Sequence, residues 1–277
     1  MTDFSKQYEV KEIYENTYSI KEEGFEGLDA YMYLLIGEEK ALLFDCGYGI
    51  IDLNMIIGKI TDKPLICVCS HGHHDHVMGV CQLEDCYIHS VDAEIFTFNM
   101  CEPCLRMYAT NNALSVHKNS EGFSEFAEEW INKIYPLPKF LDDIPCFDLG
   151  GRKVYWRLIP GHTQGSIALY DEKYGVAFDS DGASRGVWVY LFESTSLSEY
   201  IETLRDYIAF LEEKGVSKRF VAHDGAKHNI NDLKNLLSCC IYAKETPEAG
   251  EIFRNPYNRA RIVRYSDSAV IYNTEKT

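Results

Sequence analysis

The first third of the chain alternates short apolar runs with polar turn residues. The segments YEVKEIYE, NTYSIKE and YMYLLIGEEKALLFDCG have the composition of β-strands, and GEEK splits the last of them into two runs as a hairpin turn does. Residues 51–62 space their apolar positions as a helix does, and PLICVCS follows as a short, almost wholly apolar strand. A strand, a helix and a buried strand in succession predict layered α/β packing.

The second half of the chain shows the same alternation. KVYWRLIPGHTQGSIALYDEKYGVAFDSDGA predicts two or three strands separated by the turns PGHTQG and DEKYG. SLSEYIETLRDYIAFLEEKG is an amphipathic helix that Gly215 would end, RFVAHDG is a strand that runs into a histidine, and ARIVRYSDSAVIYN is a closing hairpin. Residues 91–143 are helical and rich in aromatic side chains. We therefore expect one domain over residues 1–277, with a helical insertion at about 91–143.

Composition and charge limit the classes of molecule that the protein is expected to bind. The chain has an ordinary globular composition, with 46% hydrophobic and 25% charged residues, and a formal net charge of -16. That charge repels phosphate backbones and argues against nucleic acid binding, so we expect a small-molecule substrate. The N-terminus has no signal-peptide pattern, and no apolar run approaches membrane-spanning length, which predicts a cytoplasmic protein without a membrane segment. A homo-oligomer is left open.

Ten cysteines in such a chain are best interpreted as reduced, mostly buried thiols. Cys101 and Cys104 form a CEPC motif, but no second pair follows at zinc-ribbon spacing. We therefore assign these two cysteines no metal or redox role.

The stretch SHGHHDHVMG places four of the chain's nine histidines next to an aspartate. His71, His73, Asp75 and His76 form the pattern H-x-H-x-D-H in the loop that follows a predicted buried strand. A polar loop could use single histidines as helix caps, but several buried imidazoles without a cation would be costly. Imidazoles and a carboxylate from one tight loop instead suit borderline metal ions such as zinc. Two ions are favoured, because neighbouring residues cannot all face one centre.

Three further candidate ligands follow other β-like runs: His162 in PGHTQGS, Asp181 in FDSDGA and His223 in VAHDG. With these residues the chain resembles the metallo-β-lactamase fold superfamily, and the block from 161 to 181 looks most like its glyoxalase-II-type branch. The resemblance covers nearly the whole chain. It implies a four-layer αβ/βα sandwich with a helical insertion and a metal site at one edge of its two sheets.

The same resemblance implies the role of each site residue. Asp45, in LLFDCG, would support the loop that carries H-x-H-x-D-H, here called the metal loop, through hydrogen bonds without binding metal. Asp181 would bridge two ions, with Asp179 as the alternative, although Ser180 stands where the family often has glycine. Asp75 is assigned to catalysis as well as to metal binding. The implied ligands are His71, His73 and His162 for the first ion, and Asp75, His76 and His223 for the second.

Two divalent ions, zinc with iron or manganese as alternatives, would supply a hydroxide nucleophile. The resemblance therefore implies a hydrolase of small esters, thioesters or lactones. Two alternatives stay open: a sulfur (persulfide) dioxygenase with a single iron, and a phosphodiesterase.

A substrate pocket is predicted just after Asp181. In RGVWVYLFES, Trp188 and Tyr190 alternate on one face of a short strand, and the Tyr190 hydroxyl could donate a hydrogen bond to a developing oxyanion. Core packing is the competing interpretation of both aromatic side chains.

Overall fold

The computed structural model describes residues 8–24, 28–111, 121–254 and 259–276. Its contacts divide the chain into two compact units, residues 1–153 with 223–225 and residues 154–222 with 226–277. The segment predicted as an insertion lies in the first unit, and its residues 112–120 are outside the described ranges. The existence of one domain with an insertion stays a prediction.

The first unit is built on a seven-stranded sheet whose strands follow one another in chain order. The first four strands pair antiparallel, and the last three pairings of the sheet are parallel. The strands are β1 (Tyr8–Tyr14), β2 (Thr17–Glu22), β3 (Ala30–Ile36), β4 (Ala41–Phe44), β5 (Leu65–Val68), β6 (Tyr87–Ile88) and β7 (Lys139–Phe140). A further short strand of this unit is β8 (Phe147–Asp148).

Along the chain, the helices of the first unit occur between β4 and β7. They are α1 (Leu53–Gly58), α2 (His74–Val77), α3 (Ala93–Asn99), α4 (Glu102–Asn111) and α5 (Phe123–Ile131). Helix α1 begins where the Asp52 side chain accepts the N–H of Met55, and it buries Leu53, Ile56 and Ile57 on one face. The predicted helix, the GEEK hairpin between β3 and β4, and the apolar strand β5 are confirmed.

The second unit contains two sheets. Strands β9 (Lys153–Leu158), β10 (Ile167–Asp171), β11 (Val176–Phe178) and β13 (Lys218–Phe220) lie in the order β13-β11-β10-β9. Strands β12 (Gly186–Val189), β14 (Glu251–Phe253), β15 (Ala260–Tyr265) and β16 (Ser268–Asn273) form the order β12-β16-β15-β14. Of the two or three strands predicted here, three are present (β9, β10 and β11), and the closing β15–β16 hairpin is confirmed.

Helices α6 (Leu197–Glu213) and α7 (Ile230–Glu245) cover the core of the second unit. Ser196 and Glu199 form a capping box at the start of α6, and Gly215 follows its end at φ +65°. Leu204 and Leu211 of α6 pack in one buried cluster with Leu236 of α7. Of the helices in the described ranges, none is long and apolar enough to cross a membrane.

A buried carboxylate fixes the loop that follows β4. Glu22, at the end of β2, is 1% exposed, and its carboxylate accepts the N–H groups of Tyr48, Ile50 and Ile51 at 2.6, 2.7 and 3.0 Å. Burial raises the pKa of Glu22 to about 7, although these N–H donors act in the opposite direction. The Glu22 side chain thus accepts the backbone hydrogen bonds that residues 48–51 would otherwise make with a neighbouring strand.

Glu22→Ala should therefore destabilise the first unit strongly. It removes the acceptor of three N–H groups in a buried place, which we expect to cost about 3 kcal/mol in the free energy of unfolding. Urea denaturation of this variant and of Glu23→Ala, whose side chain is exposed, gives the comparison. The Glu23 variant should stay within about 0.5 kcal/mol of the parent chain. Equal losses in the two variants would contradict the role given to Glu22.

Candidate metal centre

The H-x-H-x-D-H loop begins where β5 ends and runs into the short helix α2. Nε2 of His71 and Nδ1 of His73 are 3.0 Å apart, and His71 is fully buried. The other ring nitrogen of His71, Nδ1, lies 2.9 Å from Oγ of Ser70. Because Ser70 hydrogen-bonds Nδ1 of His71, its Nε2 atom can bind a metal ion together with Nδ1 of His73.

A second set of donors in the first unit consists of Asp75, His76 and His223, whose ligand atoms lie within 4.8 Å of one another. Oδ2 of Asp75 is 3.7 Å from Nε2 of His76 and 3.3 Å from Nε2 of His223. Nδ1 of His223 donates to the carbonyl of Asp29 at 2.9 Å. Burial alone would raise the pKa of the Asp75 carboxyl, but the adjacent rings of His76 and His74 and a hydrogen bond with His223 lower it well below its usual range.

Asp45 connects the loop to the end of β4. Its carboxylate accepts the N–H of Ser70 at 2.7 Å and the Ser70 hydroxyl at 2.9 Å. The same carboxylate lies 2.9 Å from Nδ1 of His76. Asp45 is 2% exposed and has φ +61°, in the left-handed region. With Nδ1 of His76 donating to Asp45, its Nε2 faces Asp75 as a metal ligand must.

Sequence reasoning missed a second support, which comes from the segment of the predicted insertion. The N–H of Gly72 donates to Oδ2 of Asp92 at 2.9 Å, and Nδ2 of Asn99 donates to the Gly72 carbonyl at 2.7 Å. A Cβ atom on Gly72 would lie 2.8 Å from the backbone nitrogen of Phe96. Both backbone groups of the residue between His71 and His73 are therefore held by side chains at the two ends of α3.

His74, the remaining histidine of the loop, is part of the same support. Its ring stacks on Tyr108 with centroids 4.1 Å apart, and the Tyr108 hydroxyl donates to Oδ1 of Asn99 at 2.7 Å. Burial lowers the pKa of His74 to about 4, so the stacked ring is neutral. His74 thus serves packing.

In the second unit, His162 and Asp181 lie side by side. Nε2 of His162 is 3.6 Å from Oδ2 of Asp181, and Nδ1 of His162 donates to the Trp188 carbonyl at 2.9 Å. Asp181 lies in the 3₁₀ helix Ser180–Ala183, in which Ser180 has φ +51°. The chain therefore takes, with a serine, the left-handed turn that glycine adopts more easily.

Asp179, the alternative bridging residue, is engaged elsewhere in the second unit. Its fully buried carboxylate forms an ion pair with Arg219 and accepts the Tyr207 hydroxyl. Of the two aspartates, Asp181 is the one beside His162.

The rings of Trp188 and Tyr190 contact each other, with centroids 5.7 Å apart, as the predicted shared face requires. Strand β12 ends at Val189, so Tyr190 lies just beyond it. The Trp188 side chain is 40% exposed. Tyr190 is 6% exposed and belongs to a small apolar cluster. Its role at an oxyanion stays a prediction.

The chemistry of these donors fits divalent ions. Imidazole nitrogens and carboxylate oxygens are the ligands that zinc and similar ions take. The remote ring nitrogens of His71, His76, His162 and His223 each have a hydrogen-bonding oxygen within 2.9 Å. Such partners fix the orientation of metal-binding histidines. The residues can therefore hold metal, as the sequence predicts.

Comparison with known proteins agrees with this chemistry. The family model described as the metallo-beta-lactamase superfamily matches residues 26–191. The chain belongs to the metallo-β-lactamase superfamily. Its similar relatives include proteins named acyl-coenzyme A thioesterase MBLAC2. The Homo sapiens protein is 23% identical over 78% of this chain and 81% of its own length, and that of Gallus gallus is 22% identical over 71% and 73%.

Solved structures of the superfamily share the fold. The DIM-1 metallo-beta-lactamase aligns with a TM-score of 0.62 at 15% identity, covering 86% of this chain and 98% of its own. A metallo-beta-lactamase from Pontibacter korlensis aligns with a TM-score of 0.60 at 14% identity, covering 85% and 99%. At such identities the likeness concerns the fold alone. The predicted α/β fold of the metallo-β-lactamase type is confirmed.

Asp45→Asn should weaken metal binding while the chain stays folded. Asparagine keeps the shape and tolerates the left-handed backbone, but it lacks the charge that fixes the ring of His76. We expect metal affinity, measured by competition with a chromophoric chelator, to fall by about 10- to 100-fold. Asp62→Asn, at an exposed position, should leave affinity unchanged. An Asp45→Asn affinity equal to that of the parent chain would remove this residue from the metal centre.

Proposed function

We propose that this superfamily hydrolase cleaves small-molecule acyl thioesters, with acyl-coenzyme A as the leading substrate class. The observation that carries the proposal is the two sets of metal-binding side chains, those of the metal loop together with His223, with ring orientations fixed by hydrogen bonds. The relatives named as acyl-coenzyme A thioesterases, matched over most of their length, support the thioester bond as the target. The ten free thiols are consistent with a cytoplasmic enzyme.

Two divalent ions, most simply zinc, would be shared between the donor sets. In this assignment His162 joins His71 and His73, while Asp75, His76 and His223 hold the second ion and Asp181 contributes to both. Bound there, divalent ions would lower the pKa of a water molecule toward neutrality and polarise the substrate carbonyl.

The chain's own residues orient the reactants. The Asp75 carboxylate, with its lowered pKa, stays ionised at neutral pH, so its oxygens can accept a hydrogen bond from the attacking water. The backbone carbonyl of Trp188 accepts the hydrogen bond of His162, and the ring of Trp188 is half-exposed. Phe192, four residues further along the chain, is 90% exposed. We assign contact with the acyl chain to Trp188. The Tyr190 hydroxyl stays the proposed hydrogen-bond donor to the oxyanion.

A substrate panel tests the reaction class. Zinc-loaded protein is assayed with acyl-coenzyme A, acyl-glutathione, a lactone and a phosphodiester, and thiol release is followed with a thiol reagent. We expect both thioesters to be cleaved, with acyl-coenzyme A showing the highest kcat/KM. Cleavage of acyl-glutathione alone would restrict the class, whereas phosphodiester cleavage without thiol release would contradict the proposal.

Asp181→Ala should abolish turnover while the fold persists. Loss of several kcal/mol of metal-derived transition-state stabilisation corresponds to a fall in kcat on the order of 10³-fold. His76→Ala should have the same effect. Asp206→Ala, at an exposed position of α6, is the matched control and should keep the parent activity. A fully active Asp181→Ala enzyme would refute its assignment as the shared ligand.

A further inference from the structure

Four cysteines gather beneath the metal loop in the first unit. The Sγ atoms of Cys46, Cys67 and Cys69 lie within 4.8 Å of one another. Cys86 lies opposite Cys67 in the sheet, because the next residues along, Val68 and Tyr87, are paired. Each of the four is at most 1% exposed. We propose that this thiol cluster is a closed binding site for a divalent thiophilic ion of the zinc class, separate from the histidine and aspartate donors.

The cluster is assembled by three neighbouring parallel strands. Cys67 lies in β5, and Cys69 is the first residue after that strand. The two side chains point to the same face, since side chains two apart on a strand share a face. Cys86 directly precedes β6, and the N–H of Cys69 bonds the carbonyl of Tyr87 at 2.8 Å. Cys46 follows the left-handed Asp45 after β4. Thiols from separate strand ends that converge on one point are the arrangement of a closed, four-coordinate site.

The charge balance favours a divalent ion. The thiol cluster lies in an apolar core with residues such as Ile51, Val77 and Ile88, where an uncompensated charge would be costly. Cysteine binds such an ion as the thiolate, so each cysteine that binds releases its proton to solvent, and the dication offsets two of the resulting negative charges.

An ion in the thiol cluster would stiffen the base of the metal loop. Sγ of Cys46 is 3.1 Å from the carbonyl of His76, and the Cys46 N–H bonds the same carbonyl at 2.9 Å. Cys69 directly precedes Ser70, which contacts both His71 and Asp45. The site would therefore have a structural role, and it does not depend on the proposed function.

The test uses the full chain produced in zinc-supplemented cells and purified with reductant. Prolonged dialysis against a strong chelator removes ions from solvent-accessible donors, whereas a closed site keeps its ion. We expect about one zinc per chain to remain by elemental analysis, with X-ray absorption showing sulfur neighbours at about 2.3 Å. Loss of all zinc, or retained zinc with only nitrogen and oxygen neighbours, would overturn the proposal.

Variants assign the retained zinc to the thiol cluster. Cys67→Ser should lose the chelator-resistant zinc and its sulfur neighbours. Cys240→Ser, a buried cysteine of α7 outside the cluster, should keep both. Because the X-ray absorption spectrum of the parent chain already decides whether sulfur binds the ion, a poorly folded Cys67→Ser protein would leave the test intact. Retention of one sulfur-bound zinc by well-folded Cys67→Ser protein would overturn the assignment.

Discussion

The hydrogen bonds of the buried Asp45 carboxylate are the interaction on which the metal loop depends. A carboxyl group out of water is tolerated only when polar partners surround it, and Asp45 has two groups of Ser70 and the ring of His76. Hydrogen bonds to those partners offset the energetic cost of the left-handed backbone of Asp45. They also join the ends of β4 and β5, and they set which nitrogen of His76 is available to a metal ion.

The loop is supported from more than one direction. Asp45 acts from the side of the sheet, while Asp92 and Asn99 hold the backbone of Gly72 from α3. The segment predicted as an insertion thus contributes directly to the spacing of His71 and His73. Because a change of about 1 Å in ligand position can cost much of a metal site's activity, this packing gives the helices of that segment a role beyond covering the core.

The sequence predicted what local patterns can specify. Alternating and helical periodicities located β5, α1 and α6, and the H-x-H-x-D-H motif located the loop that carries the donors. Glu22, Asp92 and Asn99 could not be found in this way. Their partners lie about 20 to 30 residues away in the chain, so their importance arises only when strands and helices pack.

The cysteines show the same limit. Their burial was predictable from composition, since free cysteine behaves as a small apolar residue. Their grouping follows from the parallel order of β4, β5 and β6, which no local pattern contains. The extent of β12 is a smaller example, because the strand ends at its last pairing, that of Val189 with the distant Tyr272 of β16.

The central claim is that the chain's histidines and aspartates hold two divalent ions at the metal loop. Anomalous diffraction at the zinc edge from crystals of the zinc-loaded protein tests it most directly. The account predicts one peak beside His71 and His73 and a second beside His76 and His223, about 3.5–4 Å apart. Diffraction from fully loaded crystals with no peak beside these residues, or with a single peak, would contradict it.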